Sequence, residues 1–387
     1  MIVLPYKEKV EGYAMKNGKI MINNTEYSKE NVFIIAELGT AHGADPVKAG
    51  ELIDAAAEAG ADCIKFQIVY AHEILHPNTG DVELPGGKIR LFDRFKELEV
   101  APSFFAEMKE KVEKKGLVFL CTPFGLQSAR ELNTLQPKCI KIASPELNYS
   151  ALIREIASYN LPVLLSSGVS KLGDIEEALS IMDENANGRP PVCLLHCVTS
   201  YPAPEKDYNL KVLKSLAGVF GVPTGVSDHS LDPCLVPALG TAMGAAVIEK
   251  HFCLSRSDSG LDDPIALPPA EFAQMVKAIR GAEKAGSEAT IDAMRREHGS
   301  GLVESVLGDG IKRLAPSEKA NYTRTNRSIH ALRDINAGET IERDMIACLR
   351  TEKILTPGLS PSWEEQIIGL KAKRFIPAGG GICLGDI

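Results

Sequence analysis

The stretch LVFLCTPFGLQSARELNTLQPKCIKIASPELNYSALIREIASYNLPVLLSS, residues 117–167, indicates the fold most directly. It contains three short apolar runs, at 117–122, 139–144 and 162–167, and residues 126–135 carry apolar side chains at helical spacing. Uninterrupted apolar runs of this length are typical of strands that are buried on both faces, as in a parallel sheet. The stretch therefore predicts parallel strands with helical segments between them.

The same rhythm extends to both sides of this stretch. Five further apolar runs lie at residues 32–37, 62–67, 192–197, 223–228 and 246–251. Segments with helical apolar spacing accompany them, at 47–59, 104–115, 175–182, 210–220, 233–243 and 272–284. Eight strands that alternate with helices over about 250 residues are typical of a closed (β/α)₈ barrel rather than an open sheet. We therefore predict an α/β protein whose main domain, residues 32–292, is a TIM barrel.

The segments that flank the predicted barrel differ from it in composition. Residues 1–31 are predicted to be an N-terminal extension that contains a β-hairpin. Residues 293–325 are polar, contain Gly and Pro, and are typical of a linker. Residues 326–387 have strand-like runs of their own, but about 60 residues bury too little surface to be stable alone. We expect this last unit to dock onto another surface.

Charge and composition exclude several classes of function. The 387-residue chain has a formal net charge of −8, which argues against nucleic acid or an anionic membrane as the main partner. No apolar run reaches 18 residues, and residues 1–8 lack the apolar core of a signal peptide. The nine cysteines form no CxxC pair, which favours buried reduced thiols over a disulfide framework. We expect a cytoplasmic protein.

Polar side chains are concentrated at the C-terminal ends of the predicted strands, where barrel enzymes carry their active sites. They include Glu37, Lys65, Gln67, Thr122, Lys141, Ser144, Glu146, Ser166, His196, Tyr201, Ser227, Asp228, His229, Glu249, Lys250 and His251. A single serine in such a place is as often structural as functional. A lysine within an apolar strand is more informative, because lysine is almost never buried without a partner. Lys65 and Lys141 therefore predict a cradle for a phosphate or a carboxylate.

Two histidines end consecutive predicted strands. His229 and His251 are therefore expected to be neighbours at the mouth of the barrel. Two imidazoles so placed could bind a divalent metal, with further positions open to water and substrate. A hydrogen-bonded core histidine or a general base is the alternative for each. The residues alone predict metal-assisted chemistry on a small anionic substrate.

Seven motifs, in their order along the chain, resemble those of the sialic acid synthase (N-acetylneuraminate synthase) family. They are E-L-G-x-x-H-G from residue 37, K-F-Q from 65, C-T-P-F from 121, K-I-A-S-P-E from 141, L-L-H-C-x-x-x-Y-P from 194, G-x-S-D-H-S from 225 and E-K-H-F from 249. LGDGIKRLAPSEKAN from residue 307 and NRS from 326 resemble the family's linker and the start of its antifreeze-like (SAF) domain. Each motif alone is modest, but the combination is specific.

This resemblance implies a transferase that condenses phosphoenolpyruvate with an N-acetylhexosamine aldehyde, such as N-acetylmannosamine. The products would be a nine-carbon 2-keto acid and phosphate. His229 and His251 would hold Mn²⁺ or Mg²⁺, which polarises the aldehyde. The residues implied to bind phosphoenolpyruvate or to shape its site are Lys65, Thr122, Phe124, Lys141, Ser144, Ser166 and Ser227, and those implied to face the sugar are Gln67, Tyr201 and Asp262.

The resemblance also implies catalytic roles and an assembly. Glu37 would orient or deprotonate water, Glu146 is a second candidate for proton handling, and His251 completes the catalytic set. Arg327 matches the arginine with which the SAF domain of one subunit reaches the sugar in its partner's barrel, which implies a domain-swapped homodimer. Thr199 stands where the family has an asparagine near phosphoenolpyruvate.

Two further departures and three alternatives remain. Ala41 stands where the family has an asparagine, and residues 350–358 contain an insertion. A synthase of legionaminic or pseudaminic acid type is the first alternative. Another phosphoenolpyruvate-dependent aldose condensation is the second, although such enzymes lack the C-terminal unit and need extra basic residues. A non-catalytic sugar-binding paralogue is the third, and the predicted metal pair argues against it, since binding alone needs no metal. Fold alone does not separate these alternatives.

Overall fold

The structure, a computed structural model, describes residues 18–84, 87–352 and 354–387. It begins with an antiparallel hairpin of β1 (Ile20–Ile22) and β2 (Thr25–Tyr27), in which Ile20 pairs with Tyr27. This hairpin lies within the predicted N-terminal extension, of which residues 1–17 are outside the described residues. Ile20, Ile22 and Tyr27 are buried against the first barrel strand and so close the N-terminal end of the barrel.

The main domain is the predicted (β/α)₈ barrel. Its eight parallel strands follow the sheet order β7-β4-β3-β12-β11-β10-β9-β8, and β7 packs beside β8, so the sheet is nearly closed. A second antiparallel hairpin, β5 and β6, is inserted after the second barrel strand. In chain order the strands are β3 (Phe33–Gly39), β4 (Cys63–Ile68), β5 (Asp81–Leu84), β6 (Gly87–Arg90), β7 (Val118–Pro123), β8 (Ile140–Ile142), β9 (Val163–Ser166), β10 (Val192–Cys197), β11 (Thr224–Asp228) and β12 (Val247–His251).

Amphipathic helices surround the barrel. In α4, for example, Phe104, Phe105, Met108 and Val112 recur at helical spacing and are buried, whereas the opposite face carries charged residues. The helices are α1 (Pro46–Glu58), α2 (Ala71–Ile74), α3 (Leu91–Glu97), α4 (Pro102–Lys114), α5 (Leu126–Thr134), α6 (Ser150–Ser158), α7 (Leu172–Asp183), α8 (Val212–Phe220), α9 (Leu235–Ala242) and α10 (Pro269–Ala285). Within the described ranges, no helix is long and apolar enough to cross a bilayer. All nine cysteines are described, and none forms a disulfide.

Residues 293–325, which were predicted to be a linker, are helical in their first half. Helices α11 (Ser287–His298) and α12 (Ser300–Leu307) occupy the first half. Met294, Val303 and Val306 are buried in the main core, which explains why these helices are attached to the barrel. Their signal is weak because each helix buries only two or three side chains. The irregular segment 308–326 then runs along the barrel, and we call it the strap.

The C-terminal unit is a small β-rich fold. β13 (Arg327–Ala331) pairs antiparallel with β14 (Ile346–Arg350), and α13 (Glu364–Ile367) follows. Two segments of similar sequence, RDINAGETI at 333–341 and RFIPAGGGI at 374–382, face each other through an isolated bridge between Ile335 and Ile376. The core of the unit consists mainly of isoleucines: Ile329, Ile335, Ile341, Ile346, Ile367, Ile376 and Ile382.

This unit packs on the barrel of its own chain, as its small size led us to expect of a docked domain. The Asn148 side chain exchanges two hydrogen bonds with the backbone of Arg327, at 2.8 and 3.1 Å. Asn78, after α2, donates to the carbonyl of Ala378 at 3.2 Å. The C-terminal unit therefore lies over the C-terminal ends of the barrel strands.

Candidate active site at the barrel mouth

A cavity of about 250 Å³ opens at the C-terminal ends of the barrel strands, beneath the C-terminal unit. Successive side chains of a strand point to opposite faces of the sheet, so every second residue near a strand end faces the cavity. In β12, Glu249 and His251 line the cavity, whereas Lys250 points away and pairs with Asp228 at 2.6 Å. The predicted site residues on its wall are Glu37, Lys65, Gln67, Phe124, Lys141, Ser144, Ser166, Thr199, Tyr201, Ser227, His229, His251 and Asp262.

Lys65 is buried in the wall but is fully compensated by carboxylates. Its Nζ lies 2.9 Å from Glu37 Oε2 and 3.4 Å from Glu249 Oε1. Burial alone would lower the pKa of Lys65, but Glu249 and Glu37 outweigh burial and raise it. Burial likewise raises the pKa of Glu37 above its ordinary value. Lys65 is therefore less available to a ligand anion than the sequence suggests.

Lys141 is compensated less directly, because the charge of Glu249 acts on it without a contact ion pair. Its Nζ donates to Ser166 Oγ at 2.6 Å and to the carbonyl of Ile142 at 3.1 Å, and no described carboxylate lies within ion-pair distance. Burial lowers the pKa of Lys141, the direction expected for a cation removed from water. Ser144 lies nearby, and its Oγ accepts the backbone N–H of Gly168 at 3.0 Å. This part of the cavity is suited to an anion.

Gly168 holds two active-site loops in close approach. A Cβ at this position would lie 2.2 Å from Thr199 Oγ1 and 2.9 Å from Ser144 Oγ, so no side chain fits. The loops after β8, β9 and β10 therefore meet at one point.

The two histidines meet as predicted from their strands. The ring centroids of His229 and His251 are 5.5 Å apart, and the Tyr201 ring stacks on His229 at 4.3 Å. His229 Nδ1 donates to the carbonyl of Val198 at 2.9 Å, which leaves Nε2 as its ligand atom. Burial lowers the pKa of His251 to about 4, so its imidazole is neutral at physiological pH.

The imidazole pair fits a divalent cation whose other ligands are water and substrate oxygens. Among the described residues, no group of three or more His, Cys, Asp or Glu side chains is arranged to hold a metal ion. A cation here would therefore keep open positions, as Lewis-acid catalysis requires.

Three predicted residues do not line the cavity. Thr122 is buried behind it, and its hydroxyl accepts from Lys65 at 3.4 Å. Glu146 and Arg327 are fully buried and bind each other, since Glu146 Oε1 accepts from Arg327 Nε at 3.0 Å and from Nη2 at 2.8 Å. In this chain Arg327 thus fastens the C-terminal unit to the barrel instead of facing the cavity.

The arginine that reaches the cavity is Arg350, which sequence reasoning did not identify. It is the register partner of Arg327 across β13 and β14, and it also binds Glu146 Oε1, at 2.8 and 3.0 Å. Glu352, in the insertion that follows, lines the cavity as well. The insertion was the available signal, because it departs from the family pattern at this point. The exchange of C-terminal units between subunits stays a prediction.

The strap holds the active-site loops through a buried carboxylate. Glu318 Oε1 accepts the backbone N–H groups of Val169, at 2.8 Å, and Thr199, at 2.7 Å, and Oε2 accepts that of Ala315 at 3.1 Å. Val169 has a φ of +40°, a strained backbone that needs such support. The Asn321 side chain adds a hydrogen bond to the carbonyl of Thr199 at 3.0 Å. The strap is therefore a part of the site.

Glu318→Ala is expected to destabilise the protein and to lower catalytic efficiency at the barrel mouth. Each of the three buried N–H groups that loses its acceptor costs about 1–3 kcal/mol. Glu318→Gln is the matched control, because its carbonyl oxygen can still accept from Val169 and Thr199, and it should have a much smaller effect on both quantities. Denaturant unfolding and steady-state kinetics measure the two effects. Equal behaviour of the two variants would contradict this role of Glu318.

Two families match the chain, on the two units that the structure separates. The NeuB family matches residues 52–290, within the barrel. The SAF domain matches residues 326–387, the C-terminal unit.

Several relatives are similar over most of their length. An uncharacterized protein of Methanocaldococcus jannaschii is 37% identical over 357 residues, 92% of this chain and 95% of that protein. The N,N'-diacetyllegionaminic acid synthase of Campylobacter jejuni is 33% identical over 349 residues, 89% of this chain and 97% of that enzyme. The crystal structure of the spore coat polysaccharide biosynthesis protein SpsE of Bacillus subtilis matches with a TM-score of 0.79 at 32% identity, over 95% of this chain and 99% of that chain.

Proposed function

The chain belongs to the NeuB family of condensing synthases, and from that premise we propose that it joins phosphoenolpyruvate to an N-acetylated hexosamine in its aldehyde form. N-acetylmannosamine is the first candidate sugar. The products are a nine-carbon 2-keto acid and inorganic phosphate. The observation that carries the proposal is one cavity that holds a buried lysine without a carboxylate partner, a carboxylate for proton transfer and an imidazole pair.

Phosphoenolpyruvate is assigned to the Lys141 side of the cavity. A bound anion supplies the negative charge that this buried ammonium lacks. The hydroxyls of Ser144, Ser166 and Ser227 line the same cavity and can donate to phosphate or carboxylate oxygens. Ser227 already donates to Glu249 at 3.0 Å in the free protein, so this bond would have to exchange.

The reaction forms one carbon–carbon bond and, at the second carbon of phosphoenolpyruvate, exchanges the carbon–oxygen bond to phosphate for one to water, while the aldehyde oxygen gains a proton and becomes a hydroxyl. The third carbon of phosphoenolpyruvate bonds to the aldehyde carbon, water adds its oxygen to the second carbon, and phosphate leaves with the bridging oxygen. The raised pKa of Glu37 suits it to take the proton of that water. Gln67 donates to Glu37 Oε1 at 2.6 Å and thereby orients the carboxylate.

The sugar is assigned to the side of the cavity formed by the imidazoles and the C-terminal unit. His229 and His251 would hold a divalent cation, Mn²⁺ or Mg²⁺, which polarises the aldehyde oxygen when bound. Tyr201, Asp262 and Arg350 surround this region and offer a hydroxyl, a carboxylate and a guanidinium to the sugar. These groups orient the aldehyde carbon toward phosphoenolpyruvate.

A legionaminic- or pseudaminic-type precursor is the second candidate, and it is favoured by the similarity to the C. jejuni synthase. A phosphorylated aldose is disfavoured by charge. Of the cations on the cavity wall, Lys65 is paired with Glu37 and Glu249, and Arg350 is paired with Glu146. Lys141 alone among the described cations of this wall is left for an anion, and phosphoenolpyruvate takes it.

A phosphate-release assay tests the proposal. The full-length protein is incubated with phosphoenolpyruvate, Mn²⁺ and a panel of hexosamines that includes N-acetylmannosamine, diacetamido sugars and phosphorylated aldoses. We expect phosphate and a nine-carbon keto acid in equal amounts with one of the N-acetylated sugars. Release only with phosphorylated aldoses, or with none of the sugars, would reject the proposal.

Arg350→Met is expected to raise KM for the sugar by about tenfold and to leave KM for phosphoenolpyruvate unchanged, because a lost hydrogen bond to a charged group costs about 1.5–3 kcal/mol. The fold should survive, since Glu146 keeps its bonds to Arg327. Separate KM values for the two substrates measure the effect. A change confined to phosphoenolpyruvate would place Arg350 at the wrong substrate.

A further inference from the structure

A second cavity, of about 750 Å³, lies beside the barrel and apart from the barrel mouth. None of its lining residues belongs to the wall of the first cavity. We call it the side cavity. It is lined by residues 171 and 172 at the start of α7, by His196 of β10, by residues 206, 207, 209 and 212 around the start of α8, by residue 305 of α12, and by residues 308, 309, 312–316 and 319 of the strap.

The side cavity is strongly basic although the chain as a whole is acidic. Its wall carries five basic side chains, Lys171, Lys206, Lys312, Arg313 and Lys319, and two carboxylates, Asp207 and Asp309. Both carboxylates are already engaged: Asp207 accepts a strap N–H at 3.1 Å, and Asp309 pairs with Arg313. Lys206 and Lys319 form no ion pair with any described residue. Unpaired cations that surround a concave surface favour an anionic ligand.

His196 forms the inner wall of the side cavity. This imidazole is 5% exposed, and its Nε2 donates to the carbonyl of Tyr208 at 2.6 Å. Nδ1 therefore carries a lone pair, and it has no donor among the described residues. This atom has no accessible surface, so the imidazole supports the wall of the side cavity and does not itself contact a ligand.

The wall of the side cavity is also the support of the barrel mouth. Lys312 Nζ donates to the carbonyl of Ser167 at 2.7 Å, and the preceding Ser166 holds Lys141. Glu318, at the far end of the same wall segment, holds the N–H groups of Val169 and Thr199. An anion that attracts Lys312 competes with the Ser167 carbonyl and so disturbs the loop that bears Ser166.

We propose that the side cavity binds a small anion, such as a phosphorylated or carboxylated sugar or a nucleotide, and that its binding weakens the affinity of the barrel mouth for phosphoenolpyruvate. The binding part of this inference stands without the proposed reaction, whereas the kinetic part rests on it.

Titration calorimetry on the full-length protein, with phosphoenolpyruvate in saturating excess to fill the barrel mouth, tests the binding part. The probes are ATP, glucose 6-phosphate and glucuronate, which separate a nucleotide, a sugar phosphate and a sugar acid. We expect one probe to bind one-to-one, and Lys206→Ala with Lys319→Ala to weaken it by about tenfold or more. The charge-matched control, Lys277→Ala with Lys284→Ala on the exposed face of α10, should bind like the wild type.

The inference is overturned if no probe binds, or if the control pair weakens binding as much as the cavity pair. Because the proposed coupling is reciprocal, phosphoenolpyruvate should weaken probe binding by a fixed factor of about five. A loss of probe affinity that keeps growing as phosphoenolpyruvate is raised would show competition for one site and would also overturn the inference. In the kinetic test, the bound probe should raise KM for phosphoenolpyruvate by about fivefold, and Lys312→Met should abolish that effect. An unchanged KM in the wild type would overturn the coupling. A protein that binds the probe but releases no phosphate with any sugar would instead reject the proposed function.

Discussion

His251→Ala is expected to abolish turnover and the dependence on a divalent cation while the barrel stays folded. A divalent cation held by His229 and His251 would supply several kcal/mol of transition-state stabilisation, so the loss should reach about 10³-fold or more. The fold should tolerate the change, because the ion-pair partner of His251 is Asp262, at 3.8 Å, and the ring forms no hydrogen bond with the residues that the structure describes. Phosphate release during Mn²⁺ titration of chelator-treated protein measures the effect.

His42→Ala is the matched control. His42 is equally buried, but it lies outside the cavity, packs on Phe104 at 4.7 Å between ring centroids, and accepts the N–H of Ala44 at 3.1 Å. Its loss should lower stability and leave the metal dependence of turnover intact. Undiminished turnover of the wild type after complete chelation would refute the metal assignment.

Lys65→Met is expected to lose stability, whereas Lys141→Met is expected to keep its stability and lose turnover, although both lysines are buried. Lys65→Met strands the carboxylates of Glu37 and Glu249, and breaking such a buried pair costs about 3–5 kcal/mol of unfolding free energy. Lys141→Met removes a buried charge that has no contact ion pair and should unfold no more easily than the wild type. Its turnover should fall by about 10²–10³-fold, because bound phosphoenolpyruvate would lose the Lys141 ammonium that balances its charge.

Thermal unfolding with and without phosphoenolpyruvate separates the two lysines. A ligand at a hundredfold excess over its Kd stabilises the folded protein by about 2.7 kcal/mol, and we expect this shift in the wild type without any sugar. Lys141→Met should lose the shift. A Lys141→Met protein that melts far below the wild type and still responds to phosphoenolpyruvate would move the anion site elsewhere.

The barrel and much of its mouth could be predicted because their signals are local. Apolar runs mark the eight barrel strands but not the inserted hairpin of β5 and β6, and strand-end position brings Glu37, Lys141 and His251 to one cavity. The different states of Lys65 and Lys141 could not be predicted. They depend on Glu249, which lies about 180 residues after Lys65 in the chain. Glu249 can reach Lys65 because only one strand, β3, lies between β4 and β12 in the sheet.

The strap and the C-terminal unit were harder to predict for a related reason. Glu318 lies in a polar segment that is typical of a loop, and its role comes from three backbone N–H groups, two of them in distant loops. Arg327 is the first residue of β13 and Arg350 is the last residue of β14. The two pair across the strands and share one carboxylate, Glu146. Which guanidinium faces the cavity is decided by docking geometry, which leaves no pattern in the sequence.

The pair formed by Lys250 and Asp228 has a consequence for folding fidelity. In β12 a carboxylate, an ammonium and an imidazole follow one another, and only the ammonium points away from the cavity. If β12 slipped by one residue against β11, Lys250 would enter the active site, and Glu249 would be forced into the apolar layer without a counter-ion. A barrel in the wrong register would therefore bury unpaired charges, which raises its free energy relative to the native barrel. The Lys250–Asp228 pair thus favours the register that places Glu249 and His251 in the cavity.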